Sequence, residues 1–240
     1  MRSGRHRHCL SRPYGNWIAG VQARARVAGL GLGLTLGLTF AAISHGCAAD
    51  RVVNIVALGD SLTAGFNLPA SAAFPAKLEE ALRAKGFAVA IANAGVSGDT
   101  ASGGLARLDW SVPEGTDGVI LELGANDMLR GTDPNVTRAA LEEIVRRLRE
   151  RHVAVLLAGM RAIPNLGVQY VKGFENIFPG LAAKYDLIYY PFFLEGIAGK
   201  PEFNQRDGLH PTAAGVDRIV AGILPKAEEF VMRLREQKRD

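Results

Sequence analysis

The sequence predicts a three-layer α/β/α domain built on a mainly parallel, five-stranded sheet. Three observations carry that expectation. Strand-like and helix-like segments alternate from residue 52 onward. The strand segments are near-continuous apolar runs, as expected for strands covered on both faces. The polar residues that stand out follow those runs, where sites form in open parallel sheets.

The chain has 240 residues, and its first 49 differ from the rest. They hold six Arg and no Lys, Asp or Glu, with an uncharged apolar run at 27–43. Small residues follow, ending in Cys47-Ala48-Ala49. A basic start, an apolar run and a small-residue exit describe a secretory signal. The expected division is a leader at 1–49, cleaved after Ala49, and one folded domain at 50–240. The alternative is a leader kept as a membrane anchor, since the apolar run approaches spanning length. Export to the periplasm or medium is the expectation, with anchoring as its rival.

Without the leader, 22 basic and 24 acidic residues remain, a net charge of −2 in place of +4. No basic stripe is left to suggest nucleic acid. Cys9 and Cys47 leave with the leader, which excludes thiol catalysis and cysteine-bound metals. The expected product is a monomer or weak oligomer with no stable membrane association.

The elements follow in order. Val52–Leu58 reads as a strand broken by Gly59-Asp60-Ser61. Phe74–Lys85 reads as a helix, with Leu78, Ala81 and Leu82 on one face and Gly86 as its stop. Phe87–Ala92 is the second strand. Asn93–Gly104 is a loop running into a short helix. Gly118–Leu123 is the third strand, and Gly124–Pro134 a loop. Thr137 is the expected cap of the next helix. Leu141, Ile144, Val145 and Leu148 line its inner face, with Glu142–Arg146 and Glu143–Arg147 pairs outside. Val153–Ala158 is the fourth strand, Tyr170–Lys184 a helix and Leu187–Tyr190 the fifth strand. A last helix is expected from Pro211, with Pro225 kinking or interrupting it.

Residues 50–240 contain two histidines. His152 follows a basic helix end and suits the negative pole of a helix dipole, a structural reading. His210 lies in Asp207-Gly208-Leu209-His210-Pro211. An aspartate three residues earlier can hold one imidazole tautomer and stabilise the imidazolium. The same residues also suit a plain turn before a proline-led helix. Ser61 after the first strand would project its hydroxyl above the sheet. Alone it is also an ordinary cap. The candidate oxyanion donors are the Ser61 N–H, the Gly98 N–H and the Asn126 amide. Gly98 and Asn126 also suit simple turns. Together these residues suggest an acyl transfer to serine.

Four segments in order carry a family resemblance. They are Gly59-Asp60-Ser61-Leu62-Thr63, Asn93 to Thr100, Gly124-Ala125-Asn126-Asp127 and Asp207-Gly208-Leu209-His210-Pro211. The chain resembles the SGNH hydrolases, also called GDSL lipases and esterases, over residues 52–225. It is most similar to the bacterial periplasmic thioesterase I, lysophospholipase L1 and arylesterase group. Ser97-Gly98-Asp99-Thr100, Gly104 to Leu108 and Asn126 to Gly131 carry that finer likeness. The resemblance implies a flavodoxin-like fold, Ser61 as nucleophile, Gly98 and Asn126 as oxyanion donors, His210 as base and Asp207 as its orienter. It implies export and a broad range of ester or thioester substrates. Ala125 stands where the nearest proteins usually carry glycine, which bears on loop flexibility beside the site.

The expected substrate is a small-molecule acyl ester or thioester, cleaved through an acyl-serine with no metal or cofactor. Leu129, Ile163, Pro164 and Leu166, with Phe193 beside them, are candidates to line an acyl groove. Packing beneath the loops is the competing role for them. The reading leaves aryl ester, acyl-thioester and lysophospholipid substrates unranked. A carbohydrate O-acetylesterase is the alternative within the same chemistry. Outside it stand a metal-dependent phosphoesterase using Asp60, Asp127, Asp207 and His210, and a binding module without catalysis.

Overall fold

The structure is a computed structural model that describes residues 51–237. The expected leader, 1–49, lies outside the described residues. Strand β1 (Val53–Gly59) leads into a single turn, α1 (Ser61–Ala64), and then α2 (Phe74–Ala84) and β2 (Val89–Gly95). Short helices α3 (Ala101–Ala106) and α4 (Leu108–Ser111) precede β3 (Gly118–Glu122). Then come α5 (Ala125–Leu129), α6 (Pro134–Glu150) and β4 (Ala154–Ala158). Helices α7 (Val168–Glu175) and α8 (Ile177–Tyr185), strand β5 (Ile188–Tyr190) and α9 (Ala213–Glu236) complete the order.

The sheet runs β2-β1-β3-β4-β5, and every pairing is parallel. This is the flavodoxin-like order. All five residues of β3, the central strand, are buried. The chain steps outward in one direction through α2 and in the other through α6. Right-handed crossovers therefore place these helices on opposite faces. Helix α9 packs against α2, and α8 against α6. The direction changes between β1 and β3, which opens a crevice at their carboxyl ends.

Five local expectations need correction. Helix α6 starts at Pro134 and is capped by Asp133, whose carboxylate accepts from the Asn135 N–H at 2.8 Å. Proline at the first position has no N–H to satisfy, so the cap sits just before it. Thr137 instead is buried and donates to Asp127 at 3.1 Å. The outer pairs also differ. Arg146 bonds Glu143 and Glu150, while Glu142 turns to Lys184 and Tyr185 of α8.

The helix expected over Tyr170–Lys184 is two, separated at Asn176. Pro179 cannot donate to the carbonyl four residues back, so the break falls one turn before it. Helix α9 begins at Ala213, capped by Thr212, while Pro211 bridges to Asn204. It continues through Pro225 to Glu236, held by a buried face that runs from Val216 to Leu234. His152 ends α6 with a left-handed backbone, φ 57°, its N–H donating to the Arg149 carbonyl. No described helix is long and apolar enough to cross a membrane.

Candidate active site

Ser61 is the first residue of α1, directly above the end of β1. The sequence makes the turn there for a steric reason. A Cβ on Gly59 would lie 2.0 Å from the Thr63 hydroxyl and 2.6 Å from Glu122 Oε2. Asp60 caps the turn, its Oδ1 accepting from the Leu62 N–H at 2.9 Å. The Ser61 N–H opens a helix, so it has no partner within that helix.

The other arm arrives from the loop after β5. His210 Nε2 lies 2.9 Å from Ser61 Oγ. His210 Nδ1 lies 2.7 Å from Asp207 Oδ2. Asp207 Oδ1 accepts the backbone N–H groups of His210 and Leu209 at 3.0 and 2.9 Å. Those backbone donors, then the imidazole, hold the Asp207 carboxyl down at about 2. Phe66 packs its ring against the imidazole, centroids 4.4 Å apart. An ionised carboxylate on Nδ1 leaves Nε2 as the face toward the serine.

Asn126 reaches the same place from α5, after β3. One amide N–H donates to Asp60 Oδ2 at 3.0 Å. An amide has two N–H groups, so the second is left for another acceptor. Gly124, at φ 117°, makes the sharp turn ahead of it. Ala125 is the first helical residue, so the bend needs no glycine there. Gly98 has φ 84°, a left-handed conformation that favours glycine. Its carbonyl accepts from Arg130 at 2.7 Å.

Two buried acids under the turn were not assigned these roles from sequence. Asp60 is fully buried, and desolvation pushes its carboxyl up to about 6. Glu122, the last residue of β3, is also fully buried. Burial, with the charge of Asp60 adding to it, drives its carboxyl well above the ordinary range. Glu122 Oε2 accepts from the Thr63 hydroxyl at 2.7 Å and the Asp60 N–H at 3.4 Å. The signal was present: an acid inside the apolar run Gly118–Leu123 is itself unusual.

A cavity of about 430 Å³ opens beside Ser61, Asn126 and His210. Leu129, Ile163 and Pro164 are among the residues that line it. Two expectations need correction. Leu166 is packed against the core and does not line the cavity. Phe193 is fully buried, edge-on to Phe74 at 4.9 Å. Its neighbour Phe192 faces the cavity instead, with Arg161 over its ring. Met128, Met160 and Leu194 complete an apolar wall. Two adjacent phenylalanines give no cue to which one faces inward. A second cavity, about 440 Å³, lies at the amino-terminal ends of β4 and β5.

The four residues considered as metal ligands do not assemble. Asp127 turns away to accept from the Ala101 N–H and the Thr137 hydroxyl. Among the described residues no group of three or more ligand side chains could hold a metal ion.

A serine hydroxyl, an imidazole and a carboxylate in one line, at the switch point of a parallel sheet, is the arrangement of a serine hydrolase. Comparison with known proteins carries this further. Residues 57–218 match the GDSL-like lipase/acylhydrolase family. The chain is 39% identical over 165 residues to the arylesterase of Vibrio mimicus, covering 68% of this chain and 82% of that protein. It is 39% identical over 175 residues to thioesterase 1/protease 1/lysophospholipase L1 of Escherichia coli K12, covering 72% and 79%. The solved structure of AlinE4, an SGNH-hydrolase family esterase, is 44% identical with a TM-score of 0.64, covering 75% and 96%. The chain belongs to the GDSL-like lipase/acylhydrolase family. It is an ester-hydrolysing enzyme acting on small-molecule esters.

Proposed function

We propose that Ser61 is the nucleophile, His210 its general base and Asp207 the group that orients His210. The observation that carries this is the continuous line Asp207–His210–Ser61, with contacts of 2.7 and 2.9 Å. His210 Nε2 takes the hydroxyl proton as Ser61 Oγ attacks the acyl carbonyl. The carbonyl oxygen becomes negative and is received by the Ser61 and Gly98 N–H groups and the free N–H of Asn126. The imidazolium returns its proton to the departing alcohol or thiol. Water then enters, loses a proton to His210 and releases the acid, restoring the hydroxyl.

The substrates we assign are aryl esters, acyl thioesters and lysophospholipids. The apolar wall of Leu129, Ile163, Pro164, Met128 and Phe192 supports an acyl group as the part held. We further assign residues 1–49 as a cleaved leader, 50–240 as the hydrolase domain, and the periplasm or medium as its location. The basic, apolar and small-residue order of that segment supports this. We also assign the protein as a monomer or weak oligomer without stable membrane association; a net charge of −2 after loss of the leader argues against nucleic acid as a partner.

The test is the initial rate of p-nitrophenyl butyrate hydrolysis by the purified protein and its Ser61→Ala variant. A loss of roughly 10⁴–10⁶-fold in kcat is expected for removal of such a nucleophile. Equal rates in the two proteins would sink the assignment of Ser61.

A further inference from the structure

We infer that Arg107 is a positioning residue that sets the nucleophile turn and the Gly98 loop relative to each other. Arg107 stands at the carboxyl end of α3, and its side chain is 8% exposed. It touches neither Ser61 nor the cavity, yet its partners are drawn from both arms of the oxyanion site. Nη2 donates to the Gly59 carbonyl at 2.8 Å. Nε donates to Asp99 Oδ2 at 2.6 Å. Nη1 donates to the Ala94 carbonyl at 2.8 Å and to Ser111 Oγ at 3.0 Å.

The Gly59 contact matters most. The peptide between Gly59 and Asp60 is the rigid plane immediately ahead of the Asp60–Ser61 peptide, which carries the Ser61 N–H. Its oxygen is held by Arg107 and by the Val96 N–H at 3.0 Å. Its N–H points to Glu122 at 3.4 Å. The plane is thus fixed from both ends, by a guanidinium above and a buried carboxyl below. The same guanidinium holds Asp99, the residue after Gly98. One planar fork therefore spans the two loops that, on the reading above, supply the Ser61 and Gly98 N–H donors.

The choice of arginine follows from that geometry. A fork presents donors in fixed directions, whereas lysine presents one compact charge. Stability alone is a poor reason for such a group. A buried ion pair contributes little net stability compared with an apolar replacement of similar shape. Acceptors gathered at the carboxyl ends of β1 and β2 point to alignment of the site. Oxyanion donors lose effect when displaced by fractions of an ångström, because they must meet the developing charge without reorganising.

The inference rests on Ser61 and Gly98 acting as proposed above, so the experiment includes Ser61→Ala as a separate arm. The full chain and its Arg107→Lys, Asp99→Asn and Ser111→Ala variants are compared by thermal unfolding and by kcat and KM for p-nitrophenyl butyrate. Arg107→Lys is expected to fold and to lose about 10–100-fold in kcat, below the ~10²–10³ of deleting a whole donor. Its KM should change less than about threefold, the mark of a contact effective only in the transition state. Asp99→Asn should fall the same way by less, and Ser111→Ala should match the parent. A folded Arg107→Lys with parental kcat overturns the inference. So does a kcat loss that only tracks the unfolded fraction. If Arg107→Lys does not fold, Asp99→Asn decides by the same criterion. Failure of both to fold would make Arg107 a folding residue and also overturn it. Parental activity in Ser61→Ala would instead remove the reading of the site on which the inference stands.

Discussion

Asp207 touches His210 and Asp60 precedes Ser61, and their carboxyls are shifted in opposite directions. Asp207 sits on a loop, with its side chain 37% exposed, and is held down at about 2 by backbone N–H groups and the imidazole. Asp60 lies under the turn, fully buried, and is pushed up to about 6 by desolvation. The two residues are the same chemically. What differs is who supplies the compensating donors and whether water remains. Asp207, proposed to support charge on His210, keeps solvent and dedicated backbone donors. The floor under the turn holds two buried acids, Asp60 and Glu122, both pushed upward by burial. Proximity to Ser61 therefore does not define a carboxylate's state; its surroundings do.

The largest effect that would break this contrast is on the exposed arm. Asp207→Asn keeps the side chain's shape but lets His210 adopt the wrong tautomer. A fall of about 10⁴-fold in kcat at neutral pH is expected, by analogy with the same change in other triads. Measured kcat within a few-fold of the parent would mean that Asp207 is no more than a turn residue.

The next effect falls on the floor and is read in stability. Glu122→Ala leaves the Thr63 hydroxyl and the Asp60 N–H without their buried acceptor. A destabilisation of roughly 1–3 kcal/mol is expected for such an orphaned group. Glu122→Gln keeps an acceptor oxygen and should lose much less. Chemical denaturation of the two variants checks this, and equal losses would show that an acceptor oxygen at this place is not what Glu122 contributes.

The smallest effect is a pH dependence. Asp60 binds its proton more tightly in the folded state than in the unfolded chain. Its stabilising contribution is therefore complete below the ordinary value of 3.8 and is lost as pH rises through about 6. Glu122, also raised, contributes in the same direction. Asp207 has the opposite sign: its contribution is present above 3.8 and is lost as pH falls toward 2. Asp60→Asn should flatten the decline in unfolding temperature between about pH 4 and 6, the window these shifts define. A parental slope in the variant would assign the decline to other groups.

The apolar runs and the turns between them made the layers and the strand count legible in the sequence. A run buried on both faces, as β3 is, must be apolar throughout. The Asp207–His210 pairing was legible too, since a tight turn of three residues brings the two side chains together whatever the remainder does. Ser61 and Asn126 were visible as polar residues placed after strands. Helix limits were less so, because Asp133 and Pro134 offered an earlier start than Thr137, and Pro179 a break that periodicity does not report.

The 2.9 Å meeting of His210 with Ser61 spans 149 residues and depends on the direction change between β1 and β3. The states of Asp60 and Glu122, the choice of Phe192 over Phe193, and the reach of Arg107 across two loops depend on it as well. Local pattern determines which segments form and what they carry, because propensity and burial act over a few residues. Desolvation and long-range hydrogen bonds exist only once distant segments share one interior, so the tertiary structure alone decided which acid is pushed up, which is held down and which phenylalanine faces the groove.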